Sequence, residues 1–208
     1  SGQRDIRCTV SIGGFVPKPH TPFQWCAQLG AEQTDARLRT LREAIRADKR
    51  YASAIGFRYH DGEPGIVEGL LSRGDRRVGA VIEAAWREGA RFDGWSEHFS
   101  YDRWIRCAET ALADEPVDVA WYTTREREQT EVLPWDHLDS GLDKDWLWQD
   151  WQNAVGGAEV EDCRWTPCFD CGVCPQMNTE IEIGPTGRRL LPLTVLTAGK
   201  DGLLETTG

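Results

Sequence analysis

Four cysteines, Cys163, Cys168, Cys171 and Cys174, fall within twelve residues at the spacing C-x4-C-x2-C-x2-C. No other stretch limits the fold so strongly. Thiolates are the soft ligands that zinc and iron–sulfur clusters select, and a C-x2-C step brings two sulfurs from one tight turn to a single centre. Gly172 directly follows Cys171, where a residue tolerant of positive φ lets backbone N–H groups turn toward sulfur. Cys168, Cys171 and Cys174 also make C-x2-C-x2-C followed by Pro175, a cluster-loop spacing for which Cys163 supplies the fourth ligand. A four-iron cluster is therefore the first reading and zinc the alternative. Four protein thiolates leave no open coordination position, so either metal is able to act as a structural clamp.

The chain has 208 residues, 40% of them hydrophobic, enough for one domain or one with a small appendage. Its net charge of −10 argues against a nucleic-acid surface. No apolar run is long enough to span a bilayer, and no secretory signal is visible. With seven cysteines, four of them clustered, these features predict a cytoplasmic, reducing setting and no membrane partner. The ten tryptophans are expected to pack in core and loops with their indole N–H groups bonded. The first residue is serine and a strand follows at once, which leads us to expect a chain that starts inside a larger protein.

Ile6, Cys8, Val10 and Ile12 alternate with polar residues and predict a strand that ends at Gly13 and Gly14. Pro17, Pro19 and Pro22 then stiffen a loop that carries Lys18, His20, Gln24 and Trp25. In βα barrels such loops follow the strands and hold polar groups over the pocket; a solvated proline-rich connector is the alternative. A helix is expected over 34–49 with Leu38, Leu41 and Ile45 on one face, then a strand over 52–59, a turn at 61–65 and a short helix over 66–71. Asp75 is a candidate cap for a helix burying Val78, Val81, Ile82, Ala85 and Trp86, with Gly89 just past its end. Ser100 or Asp102 caps a helix through Leu112 that turns Trp104, Ala108, Ala111 and Leu112 inward. Around 133–141, Asp136, His137 and Asp139 either ligate something or make an Asx-type turn capping the next helix. That helix, 143–155, turns Leu147, Trp151, Ala154 and Val155 inward. Ile181, Ile183, Leu190 and Leu191 flank a late hairpin turn, and 199–208 reads as a frayed tail.

The stretch from Phe15 to Trp25 resembles a segment near the end of the catalytic barrel of radical SAM enzymes, above all the cobalamin-binding group and the related methyltransferases and methylthiotransferases. The stretches 74–79, 85–86, 92–95, 133–137, 139–141 and 163–174 extend the resemblance to the C-terminal part of an uncharacterised family of cobalamin-binding radical SAM proteins, over roughly residues 6 to 196. The resemblance implies an α/β fold: the last strands of a partial radical SAM βα barrel (1–60), a mostly helical C-terminal extension (61–157), a cysteine-rich metal knuckle with a late hairpin (158–198), and a tail (199–208). It implies reductive cleavage of S-adenosylmethionine, cobalamin-dependent, with Lys18, His20 and Gln24 facing the S-adenosylmethionine or substrate pocket. It implies that Cys163, Cys168, Cys171 and Cys174 hold an auxiliary 4Fe–4S cluster, or zinc. The C-x3-C-x2-C triad of such enzymes is not in this sequence; Cys163, Cys168 and Cys171 have x4 in place of x3. The triad, and most of the S-adenosylmethionine and cobalamin contacts, are thus expected in an upstream N-terminal part of the same protein, which is the partner the resemblance implies. The other reading is a non-enzymatic zinc-stabilised interaction module that docks a protein through exposed tryptophans.

Overall fold

The computed structural model describes residues 7–48, 52–59 and 61–181, together with the backbone of two short strands at 196–198 and 204–206. Described in that way the chain is α/β and mostly helical. Strand β1 (Cys8–Ile12) pairs in parallel with β2 (Ile55–Tyr59), with Cys8 opposite Ile55 and Ile12 opposite Tyr59. Helix α1 (Ala31–Ala47) lies between them in sequence, so the three form a βαβ unit. No residue of either strand is fully buried.

Beyond the sheet come α2 (Gly62–Arg73), α3 (Val78–Arg87), α4 (Tyr101–Ala111) and the short α5 (Val119–Thr123). Val67, Leu70, Val78, Val81, Ala85, Trp104, Cys107, Ala108, Leu112, Val117 and Tyr122 make their common core. Helix α6 (Lys144–Val155) builds a second core in which Leu147 and Trp151 close on Trp25, Leu133 and Trp135. A 3-10 turn at Pro22–Trp25 delivers Trp25, which is wholly buried. Helix α7 (Val173–Gln176) is a single turn within the cysteine segment. Strands β3 (Leu196–Ala198) and β4 (Leu204–Thr206) pair antiparallel.

Several expectations shift. The helix expected over 66–71 starts at Gly62, because Pro64 stands in its first turn, where the missing N–H costs nothing. Gly62 is required there: a Cβ would lie 2.6 Å from the Ala31 carbonyl oxygen. The strand expected from 52 begins at Ile55, after a turn at 52–54. Asp75 does not cap α3 directly; it accepts the Arg77 N–H at 3.0 Å and pairs with the Arg77 guanidinium. Leu41, Ile82, Trp86 and Val155 were expected to face inward and are exposed. The apolar stripe on α3 is narrower than its i, i+3, i+4 pattern implies, because α4 covers one side only. Ser100 caps α4 and Asp143 caps α6, each accepting an N–H three residues on. The indole expectation holds for Trp135, whereas Trp25, Trp104 and Trp151 keep buried N–H groups without a partner. The late hairpin turn expected around 184–187 lies outside the described residues, and Leu204–Thr206, assigned to a tail, is a strand.

The seam between the two cores is polar. Arg73 is fully buried and donates to the carbonyls of Thr123 at 2.8 Å, Cys26 at 2.9 Å and Gln24 at 3.3 Å. Arg127, 2% exposed, donates at 3.2 Å to the carbonyls of Arg73 and Tyr122 and lies 5.1 Å from the Trp135 ring centre. Burial, with Arg127 nearby, brings the Arg73 guanidinium down to about 10, and burial lowers Arg127 also. Replacing Arg73 by Ala strips its hydrogen bonds from the Gln24 and Cys26 carbonyls and leaves that of Thr123 with the Gln28 N–H. We expect a loss of about 3 kcal/mol or more, with Arg73→Lys recovering only a part, because an ammonium cannot reach three acceptors in the plane of the fork. Urea unfolding of both variants measures this.

Beside the seam, Tyr122 donates its hydroxyl to Asp75 at 2.8 Å. The Arg77 hydrogen bond holds the Asp75 carboxyl down at about 2, while burial pushes Tyr122 up to about 12. A carboxylate depressed in the folded state stabilises above its unfolded pKa and loses that contribution as pH falls through the folded value. Asp75→Asn should therefore cost on the order of 1 kcal/mol near neutrality, after solvent screening. The gap from wild type should close between about pH 4 and pH 2, as followed by denaturant melts across that range.

Candidate functional site

Two clefts flank the loop from Gly13 to Trp25. The first, about 600 Å³, opens at the C-terminal ends of β1 and β2, between Ile12–Phe15, the start of α1 and the start of α2. Binding sites of parallel βα folds lie at this end of the strands. Gln28, 6% exposed, forms part of the wall and donates through Nε2 to the Gly65 carbonyl at 2.6 Å. Gly69 lets that amide pack against α2, since a Cβ there would lie 2.1 Å from Gln28 Oε1. Lys18 forms an exposed ion pair with Glu68 at the cleft edge.

The second cleft, about 310 Å³ and largely polar, lies between the proline-rich loop and the stretch 136–144. His20 takes a left-handed backbone, φ 54°, unusual for a residue with a Cβ. Gln24 supports it. This amide, 2% exposed, accepts from the His20 N–H at 3.0 Å and from Trp135 Nε1 at 2.7 Å. Its oxygen is thus committed twice, and the NH2 group is the capacity it has left. The His20 Nδ1 shares a hydrogen bond of 3.2 Å with Ser140 Oγ. Asp136 accepts from Lys144 Nζ at 2.7 Å and from the Leu133 N–H at 2.9 Å, and Asp139 accepts from the Gly141 N–H at 2.8 Å. The Asp139–Gly141 bond makes an Asx-type turn, but Asp143, not this turn, caps the next helix, and Asp136 reaches back along the chain instead of forward; His137 is exposed and does not line the cleft.

The three residues assigned to one pocket therefore separate. His20 and Gln24 share the polar cleft, while Lys18 lines neither and pairs with Glu68 on the edge of the other. Sequence reasoning did not single out Ser140. Its only local signal is a place in the turn before Gly141, which needs a positive φ of 76°. Gln28, Arg73 and Arg127 carried no signal, since their partners lie far along the chain.

All seven cysteines are free thiols. Cys163, Cys171 and Cys174 are half-buried and Cys168 is exposed. The segment has local features that suit thiolate ligation: the Asp170 N–H points at Cys168 Sγ at 3.3 Å, and Asp170 and Gly172, on either side of Cys171, are left-handed at φ 56° and 95°. The wider geometry is open, and among the described residues no three His, Cys, Asp or Glu side chains converge as a metal-holding group. Four thiols are the donor chemistry of a thiophilic metal, and to hold one at a single centre they must draw together from this arrangement. The segment is anchored on the polar cleft: the Asp143 N–H donates to the Cys171 carbonyl at 2.9 Å, and Met177 packs on Gly141.

Comparison with protein-family models, with curated proteins and with solved structures finds no match of any of the three kinds. Among the described residues no helix is long and apolar enough to cross a membrane.

Gln24→Leu removes the acceptor of both the Trp135 indole and the His20 amide. We expect a loss of about 2–3 kcal/mol in urea unfolding, and release of His20 from its left-handed backbone, visible as a changed amide resonance.

Proposed function

We propose that this chain is the C-terminal portion of a radical SAM enzyme, cobalamin-dependent, whose cluster-binding triad belongs to a preceding part of the same protein. One observation carries the reading: a parallel βαβ unit with a cleft of about 600 Å³ at the C-terminal end of its strands, and no fully buried residue in either strand. Parallel sheets normally have both faces covered and several strands. Upstream strands of a βα barrel supply that cover and close the cleft. In this arrangement the loop 13–25 lies over the barrel mouth. Gln28 and the Lys18–Glu68 pair border the first cleft, and His20, Gln24 and Ser140 form the second, beyond the loop.

Cys163, Cys168, Cys171 and Cys174 are the residues to hold an auxiliary four-iron cluster, with zinc the alternative. A cluster supplies a redox centre beside the barrel mouth; zinc supplies folding stability alone. The free thiols fit a reducing cytoplasm. An interaction module remains the second reading, favoured by the exposure of Trp86 (56%), Phe92 (70%) and Trp95 (59%).

The full-length protein, purified without oxygen and given dithionite and S-adenosylmethionine, is expected to release 5′-deoxyadenosine. A protein with its upstream cluster intact that releases none would remove the enzyme reading. In the present chain, reconstituted iron and sulfide, with broad visible absorption lost in Cys171→Ala, mark the cluster; one zinc and no sulfide mark the clamp.

A further inference from the structure

The cysteine segment and the polar cleft meet at one corner. Cys171 offers its carbonyl to the Asp143 N–H at 2.9 Å, and Asp143 caps α6 through a 2.8 Å bond to the Trp146 N–H. Gly172 sits so close to this stretch that a Cβ would lie 2.8 Å from the Gly141 carbonyl oxygen and 3.3 Å from the Asp143 nitrogen. Three residues before Asp143 stands Ser140, whose hydroxyl is the hydrogen-bond partner of His20 at 3.2 Å. The path from the cysteine pair to the imidazole thus runs through backbone contact at 171–172, one tight turn at 139–143, and one side-chain hydrogen bond.

We propose that the Cys171–Gly172 corner is a latch: metal loading of the four-cysteine loop fixes the 139–143 turn and thereby holds Ser140 on His20 at the polar cleft. The inference rests on the metal reading above. Cys171 and Cys174 bracket Gly172, so tying both sulfurs to one centre immobilises the carbonyl that Asp143 uses. Without metal, one hydrogen bond and the packing of Gly172 and Met177 hold the corner. The order of the polar cleft then tracks the state of the cysteine loop, and any chemistry that uses His20 is coupled to it. Coupling of this kind needs a contiguous element that both sites bias, which the 139–143 turn provides.

The test is hydrogen–deuterium exchange of the full 208-residue chain with and without stoichiometric zinc, together with the imidazole resonances of His20, assigned by their loss in His20→Gln. The expected result is slower exchange over 163–177 and also over 139–143, with a shifted and sharpened His20 ring signal. In Ser140→Ala, zinc should bind as in wild type and still protect 139–143, while the His20 response is lost. In Gly172→Ala at saturating zinc, confirmed by metal content, protection should stop at the cysteine segment. Zinc bound one per chain with protection confined to 163–177 and an unmoved His20 signal overturns the latch and leaves the metal reading standing. Failure of zinc to bind removes both.

Discussion

The structure depends on what happens where two helices end. The C-termini of α2 and α5 converge, and each presents carbonyls with no partner inside its helix, at the negative end of its dipole. Arg73 and Arg127 meet that demand. Their guanidiniums take the carbonyls of Arg73, Tyr122 and Thr123, and Arg73 reaches on to Gln24 and Cys26 in the loop that leads into the second core. Among the described residues neither forms an ion pair, so these dipoles and the indole faces of Trp121 and Trp135 stand where a carboxylate would. Burying two like charges side by side is costly. Carbonyls in the same seam offset part of that cost, while Arg73 Nε and Arg127 Nε and Nη1 stay buried without a hydrogen-bond partner.

Everything near the polar cleft hangs from that seam. Arg73 fixes the carbonyls of Gln24 and Cys26, and Gln24 in turn fixes Trp135 and the strained His20. Trp135 opens the stretch that leads to Ser140 and Asp143, on which the cysteine segment rests. The α2–α5 core is thus the rigid body, the His20 loop is held against it, and the cysteine loop is the outermost layer.

Much of the helical architecture was legible. Ser100 and Asp143 cap helices because each is a short acceptor placed before an apolar repeat, and Gly89 and Gly172 take positive φ where the chain must turn. The misreadings share a cause. Ile82 and Trp86 follow the period of the buried face of α3 but lie past the reach of its single covering helix. Pro64 looked like a breaker because its tolerance in a first turn depends on where the helix begins. In the candidate site, the residue types of His20, Gln24 and the cysteines were informative, but their grouping was not. Lys18 is two residues from His20 but pairs with Glu68, a wall residue of the other cleft, a partner fifty positions away that no local pattern announces.

The sequence by itself determined what is local: caps within three residues, periodicity within a turn, the Asx bond of Asp139, and four thiols gathered within twelve residues. Tertiary structure alone decided the parallel pairing of β1 with β2, the burial of Arg73 and Arg127, the meeting of His20 with Ser140, and the placing of Cys171 under Asp143. These contacts join residues tens of positions apart. Their partners are chosen by which carbonyls, amides and strand edges the packed elements bring into the same small volume, and no local pattern records that choice.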